Sequence, residues 1–500
     1  MPDRARSSRD VAAVIDVGSN SGRVVVFERD VSGHLRSLAG SRASLRLVDD
    51  VDRFGELSES SMARVTEALR DFKALAAGAG ARRIAAVATA AMRDARNGTL
   101  FANRLRRELG IRIEIISGAV EARYGFSGAM RGLSVSSGLL FDVGGGSMEV
   151  TRFDRRRRGS DLSLPLGALR LSARFLESDP PTRSQIRRLR DYVHRQLTKG
   201  GVKRLKRGDQ LVGTGGTLRN LAKVDREARG YPIGTLHGYE LPIERLSATV
   251  DLLESLKERH RDNLPGLSAD RADSIVGGAV AIQTLAEFVR ATSIVVSGQG
   301  MREGLALGLL GVPPGSPETV KELSLSSLVA RFGGWTREAA VRREDVAAAL
   351  YRSLEPRGPA IVAAALRRAA AVLDIGRALD VVNRHTHVAD ILLTTELNGF
   401  THAELAVLAA IVRRGGDRHA DIESLLSIGA VGVDAVERAA IILCLADEIE
   451  ARCPPGQRIT IRSHVGRTVT LSIPVLPSWL VDDLEKRFER AFKRALIVRH

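Results

Sequence analysis

Cysteine is nearly absent: Cys444 and Cys453 are the only two in 500 residues, and neither stands in a CxxC or Cys/His cluster. A disulfide framework and a zinc site of the usual spacing are thereby excluded, and a reducing, cytoplasmic setting is expected. Aromatic residues are scarce as well, at 4%, with two Trp and five Tyr. Single-stranded nucleic acid binders rely on such rings for base stacking, so nucleic acid is not the expected partner. Long hydrophobic runs are missing too. The alanine-rich stretch 358–379 is broken by Arg367, Arg368, Asp374 and Arg377, short of the roughly 18 uninterrupted apolar residues of a membrane span. The opening MPDRARSSRD has no apolar segment of signal-peptide type and reads as a disordered tail over residues 1–10.

Acidic residues are outnumbered: 75 Lys and Arg against 59 Asp and Glu give a net charge of +16, and the pI is about 10.5. Such a surface attracts polyanions, among them nucleic acid, polyphosphate and highly phosphorylated nucleotides. Charge alone does not choose among them. The basic runs Arg155 to Arg158, Arg187/Arg188/Arg190 and Lys203/Arg204/Lys206/Arg207 are either a track for a long polyanion or ordinary solvated surface.

Two segments read as strand, tight turn and strand. They are VAAVIDVGSNSGRVVVFE (11–28) and GLLFDVGGGSMEVTRF (138–153). Asp16, Gly18 and Ser21 of the first match Asp142, Gly144 and Ser147 of the second at a constant offset of 126 residues, the mark of a duplicated domain. Between and after them the pattern alternates: a helix near 58–78, a strand at 84–89, a helix near 97–109 and a strand at 111–117. The glycine-rich strand-to-helix passages 211–222 and 292–310 follow. This is α/β organisation, in which glycine loops at strand ends receive phosphorylated ligands. Beyond the Pro/Gly/Ser stretch 311–318 the chain becomes helical to about 450, then reads as a hairpin at 459–474 and a helix at 479–496.

Neither GxGxxG nor GxxxxGK[ST] is present, so dinucleotide-binding and P-loop readings fall. Small residues in Ser19-Asn20-Ser21 and Gly144-Gly145-Gly146-Ser147 let backbone amides approach an anion; one such loop alone could be a plain hairpin turn. A carboxylate beside a phosphate is repulsive unless a cation lies between them. Asp16 and Asp142, each two residues ahead of its loop glycine, therefore point to a metal–phosphate site with Mg²⁺ as the expected cofactor.

These residues resemble the exopolyphosphatase/guanosine pentaphosphate phosphohydrolase family, within the superfamily of acetate kinase, sugar kinases, heat-shock protein 70 and actin. The resemblance is carried by IDVGSNS and FDVGGGS together with ATAAMRDARNG (88–98), EIISGAVEAR (114–123), VGTGGTLRNLA (212–222) and SGQGMREG (297–304) in that order. It implies actin-like (ribonuclease H-like) domains at 11–130 and 131–312, a helical HD-type domain at 319–452 and a small α+β domain at 455–500. It also implies Glu121 as general base, Arg93 as a phosphate ligand, Glu149 as a metal- or water-positioning acid, and Gly215, Gly216 and Thr217 as the nucleotide-side loop. The HD-type signature is damaged, with Leu373 before Asp374 where the pattern wants histidine and none in IVRRGG (411–416); His385, His387 and His402 survive. A structural or dimer-forming role is expected of that domain, and a homodimer of the protein.

The implied reaction is Mg²⁺-dependent release of terminal phosphate from inorganic polyphosphate. Hydrolysis of guanosine pentaphosphate, with guanosine tetraphosphate as related ligand, is the alternative or a second activity. A kinase of the same superfamily would share the loops without needing Glu121, and a non-catalytic polyphosphate or alarmone sensor would tolerate its loss.

Overall fold

The computed structural model describes residues 10–333, 335–454, 462–466, 468–472 and 482–499. Residues 1–9 of the expected tail lie outside the described residues, whereas Asp10 already opens the first strand. The chain divides into two compact units, one of residues 1–230 with 236–323, the other of 231–235 with 324–500.

The first unit holds two sheets that repeat one topology. β1 (Asp10–Val17), β2 (Ser21–Arg29), β3 (Leu35–Ser44), β4 (Arg83–Ala88) and β5 (Ile113–Ile115) pair in the order β3-β2-β1-β4-β5. The hairpins are antiparallel and β1-β4-β5 parallel. β6 (Gly138–Val143), β7 (Met148–Asp154), β8 (Arg157–Leu164), β9 (Gln210–Thr214), β10 (Glu240–Pro242) and β11 (Ser293–Val296) form β8-β7-β6-β9-β11-β10. β6-β9-β11 is parallel and β10 is an added antiparallel edge. The strand at 111–117 contracts to three residues, and its pairing with β4 ends where Ile116 donates its amide to Ala88 O at 3.0 Å.

β1 is central, and its apolar run VAAVI feeds two cores, as expected of a strand covered on both faces. Val11, Ala13, Ile15 and Val17 pack with Val65, Leu69 and Phe72 of the helix Glu59–Gly78. Ala12 and Val14 pack with Met301, Leu305 and Ala306 of the helix Met301–Leu309. That helix lies against the helix Gly118–Gly132 in near backbone contact. A Cβ at Gly128 would fall 2.0 Å from Gly300 O, and one at Gly304 would fall 1.9 Å from Tyr124 O. The glycines thus set how closely two helices of the site approach each other.

In the second unit, helices Arg337–Leu354, Ala360–Val372, Arg384–Thr394, His402–Gly416 and Val433–Ala451 share one core. β12 (Arg462–Val465), β13 (Thr468–Ser472) and β14 (Ala495–Arg499) form a small sheet. The helix expected over 479–496 stops at Phe492, and the chain continues as β14, which pairs in parallel with β13. The alternation Leu496/Val498 buried against Ala495/Ile497 less so marks it as a strand, a period too short to read beside an amphipathic helix. Residues 455–461 and 473–481 of the expected small domain lie outside the described residues. No described helix is long and apolar enough to cross a membrane.

Asp374 of the damaged signature is buried with cations rather than open to a ligand. Arg343, 0% exposed, places Nη2 2.6 Å from Asp374 Oδ2 and 3.3 Å from Glu450 Oε2, and Nε 3.0 Å from Asp447 Oδ1. Its Nη1 donates to Ala370 O at 3.0 Å. Arg384 pairs with both aspartates. Burial, then Arg384, pushes His385 down to about 4, so its ring is neutral. The hydroxyl of Tyr231 is 3.0 Å from His402 Nδ1, and His387 lies in the helix Arg384–Thr394. Removing one partner of a buried ionic cluster leaves the others uncompensated. Arg343→Ala should therefore destabilise this unit by about 3–5 kcal/mol, read as a lower midpoint of urea unfolding by tryptophan fluorescence. Both tryptophans, Trp335 and Trp479, lie in this part of the chain.

Candidate active site

Each phosphate loop is a hairpin turn closed by the same hydrogen bond. Gly18 N donates to Ser21 O at 3.2 Å and Gly144 N donates to Ser147 O at 3.0 Å. The repeat at an offset of 126 residues is thus kept in backbone detail. Gly145 and Gly146 lie against Ser19 and Asn20, so the loops face each other across one cleft. Ser19 Oγ accepts the Ala91 amide at 3.2 Å, which leaves its own proton to donate.

Glu121 enters the same cleft from the first turn of the helix Gly118–Gly132. Ser117 caps that helix, its Oγ accepting Val120 N at 3.3 Å. The cleft wall comprises Asp16, Ser19, Asn20, Ser21, Glu121, Asp142, Gly144, Gly145, Gly146, Ser147, Gly215 and Gly216 among the expected residues. Arg93, Glu149 and Thr217 are not in that wall. Arg93 Nη1 instead donates to Ile116 O at 2.9 Å and stands 3.5 Å from Glu121 Oε2, clipping that carboxylate from behind. Glu149 is 3% exposed beneath Ser147 and accepts the Ser163 hydroxyl at 2.9 Å. Thr217 is wholly buried, one residue into the helix Gly216–Ala228.

Thr89, Arg23, Arg219, Arg271 and Arg302 also line the cleft and were not anticipated. Arg219 and Arg302 stand inside the motif blocks VGTGGTLRNLA and SGQGMREG, so a closer look at those blocks could have found them. Arg23 was legible in the repeat. It pairs across β1-β2 with Asp16 as Glu149 pairs across β6-β7 with Asp142, the two occupying equivalent positions with opposite charge. Arg271 carries no local signal; a loop from the second half brings it in.

The carboxylates are held above their ordinary range. Burial, against the pull of Arg302 and Arg23, raises Asp16 from 3.8 to about 6, with Asp142 and Glu303 adding repulsion. Burial raises Asp142 also. Burial and then Glu149 push Glu121 well up, while Arg93 opposes. Burial and then Asp142 lift Glu149 from 4.5 to about 7, the Ser147 and Ser163 hydroxyls opposing. Among the cleft's cations, burial and the repulsion of Arg302, Arg219, Arg42 and Arg271 lower Arg23 to about 9. The carboxylates thus repel one another, as do the arginines beside them. A cation and a polyanion bound together relieve both.

The donors fit Mg²⁺. Asp16 Oδ1 and Glu121 Oε2 are buried without a hydrogen-bond partner. Among the described residues no three Asp, Glu, His or Cys side chains converge closely enough to enclose a metal. Mg²⁺ suits such a place, because it keeps several waters and takes one or two carboxylates plus substrate phosphate oxygens.

Arg–Asp pairs span the two halves. Arg42 meets Asp270 and Arg46 meets Asp273; Arg170 Nη2 lies 3.0 Å from Asp52 and 3.1 Å from Asp94. The surface runs are less available than their sequence suggests. Arg156 donates to the carbonyls of Met130, Leu133 and Val135, Arg158 pairs with Asp161, and Arg190 bonds Gln283.

Comparison with known proteins finds one family of phosphatases. Residues 25–312 match the model of the Ppx/GppA phosphatase family. Exopolyphosphatase 1 of Mycobacterium tuberculosis is 30% identical over 325 residues, covering 64% of this chain and 94% of that protein. Among solved structures, an exopolyphosphatase from Cytophaga hutchinsonii aligns with a TM-score of 0.56 at 25% identity, over 61% of this chain and all of that one (100%). The Aquifex aeolicus member of the Ppx/GppA family aligns with a TM-score of 0.53 at 27% identity, over 60% and 97% of the two chains.

The raised carboxylates make stability depend on pH. Folded Asp16 and Glu149 hold protons up to about 6 and about 7, against 3.8 and 4.5 when unexposed to these effects. Between those limits the folded state binds more protons than the unfolded one, so stability falls as pH rises. In EDTA the melting temperature of the first unit should drop from about pH 4 to about pH 7. Asp16→Asn should flatten that slope; an unchanged slope would contradict the burial-driven shift.

Proposed function

Because the chain belongs to the Ppx/GppA phosphatase family, with duplicated halves of the actin-like superfamily fold, we propose that it is an exopolyphosphatase. In this reading it releases terminal phosphate from inorganic polyphosphate. The observation that carries the reading is the presence of Glu121 in one cleft with both phosphate loops. Terminal-phosphate hydrolysis needs a water deprotonated beside a phosphoryl group that is held and neutralised.

The amides and hydroxyls of Ser19, Asn20, Ser21 and of 144–147 hold the terminal phosphate. Arg23, Arg219, Arg271 and Arg302 receive the oxygens of the phosphates behind it. Glu121, its proton affinity raised by burial and by Glu149, takes the proton of a water whose oxygen attacks the terminal phosphorus. The bond from that phosphorus to the bridging oxygen breaks, and the shortened chain leaves with the bridging electrons. Arg93 steadies the Glu121 carboxylate. Asp16 and Asp142 would hold a hydrated Mg²⁺, which when bound supplies charge neutralisation to the phosphoryl oxygens.

The guanosine pentaphosphate reading uses the same loops. No residue in the described cleft wall is aromatic, so nothing there offers a guanine ring a stacking face. That favours the inorganic chain.

Glu121→Gln should lower kcat on long-chain polyphosphate by about 10²- to 10⁴-fold while equilibrium binding of the chain persists. Near-normal turnover would sink the reading of the base. Asp16→Asn and Asp142→Asn should each raise the Mg²⁺ concentration giving half-maximal rate, and full activity in excess EDTA would remove the metal from the scheme. Phosphate release from polyphosphate and from guanosine pentaphosphate, measured side by side, decides the substrate; a preference for the nucleotide would overturn the first choice.

A further inference from the structure

The helix that delivers Glu121 sits on β8 through a contact with no room to spare. Gly118 is the first residue of that helix. A Cβ there would lie 2.6 Å from Ser163 Cβ, 2.7 Å from Ser163 Oγ and 3.9 Å from Glu149 Oε1. Real Cβ contacts do not reach 2.6 Å, and the obstruction is the root of a side chain on a strand, which cannot swing aside. Ser163 in turn donates its hydroxyl to Glu149 Oε1 at 2.9 Å. Gly118 and Glu121 are three residues apart, so they share one face of the helix, one turn from each other. That face carries Glu121 toward Glu149, the carboxylate that most strongly repels it.

We propose that Gly118 and Ser163 are a positioning pair: the missing side chain at 118 and the hydroxyl at 163 set the depth at which Glu121 stands in the cleft and its spacing from Glu149. Neither residue lines the cleft, so neither touches substrate. The inference rests on Glu121 being the base. Any bulk at 118 lifts the first helical turn off β8 and displaces the Glu121 carboxylate, whereas the phosphate loops, on β1-β2 and β6-β7, keep their places. Displacing a reacting group by about 1 Å can cost on the order of 10²-fold in rate.

The test is a size swap in the full-length protein, with kcat and KM measured on long-chain polyphosphate and Mg²⁺. Gly118→Ala should lower kcat by about 10- to 100-fold with KM and the equilibrium affinity for polyphosphate unchanged. Ser163→Gly opens the space that the new methyl needs. The double variant Gly118→Ala/Ser163→Gly should therefore return to within about threefold of Ser163→Gly alone, a recovery that general loss of stability would not give. Wild-type kcat in Gly118→Ala, or a double variant that falls as far below Ser163→Gly as Gly118→Ala falls below the wild type, overturns the proposal. If Gly118→Ala does not fold, Ser163→Ala decides. A fall of about tenfold in kcat at constant KM is expected from freeing Glu149, and an unchanged kcat overturns it. Glu121→Gln, run in parallel, separates the two failures: if it is inactive while Gly118→Ala is normal, the seat is wrong and the base stands. If Glu121→Gln is active, the base itself is wrong and the seat falls with it.

Discussion

Everything at the cleft follows from burying carboxylates of like charge at strand ends. Asp16 and Asp142 close β1 and β6, and Glu121 and Glu149 lie within electrostatic reach of them. Left alone, such a group resists folding unless its members hold protons or face cations. The chain supplies both: raised proton affinities on the carboxylates, and Arg23, Arg219, Arg271 and Arg302 lining the same cleft. These arginines also repel one another, as the lowered Arg23 shows. The cleft is therefore poised for a ligand pair of opposite charge, and folding carries part of the electrostatic cost of that readiness.

Duplication explains how one cleft came to have two unlike walls. The two hairpins agree in register, in the turn hydrogen bond and in the Asp at the strand end. They disagree where Arg23 and Glu149 face their aspartates. Arg23 neutralises Asp16, whereas Glu149 repels Asp142 and Glu121. A symmetric scaffold thus yields an asymmetric field, in which Glu121 stands beside the acidic Glu149 rather than beside Arg23. The helical unit treats the same problem differently. There a guanidinium, Arg343, lies among Asp374, Asp447 and Glu450, and the acids are countered by charge from the chain itself.

The Glu121 helix shows how one cleft side chain is placed by contacts outside the cleft wall. Its far end meets the helix Met301–Leu309 at Gly128 and Gly304, its near end meets Ser163 at Gly118, and its carboxylate meets Arg93. Close approach makes the glycine contacts intolerant of added bulk. The position of Glu121 is consequently distributed over four segments remote in sequence.

The sequence by itself determined the two hairpins and the duplicated loops with Asp16 and Asp142, because those depend on short-range rules: apolar runs, turn residues and a repeated spacing; Glu121 was singled out only by the family resemblance. The sequence also carried Arg23 in plain view, as the partner implied by the 126-residue offset of Glu149. What tertiary structure alone decided was contact between distant segments. Arg93 reads as one basic residue among 75, yet folding places it behind Glu121 rather than in the cleft wall. Arg271 enters the wall from a short 3-10 turn with no motif, and Arg343 becomes buried because two helical segments remote in sequence bring acids to it. β14 was hidden because its pairing partner, β13, is the feature that makes it a strand. Local pattern records what a segment can become, whereas the energy of a buried charge or a glycine contact depends on neighbours that the linear order does not reveal.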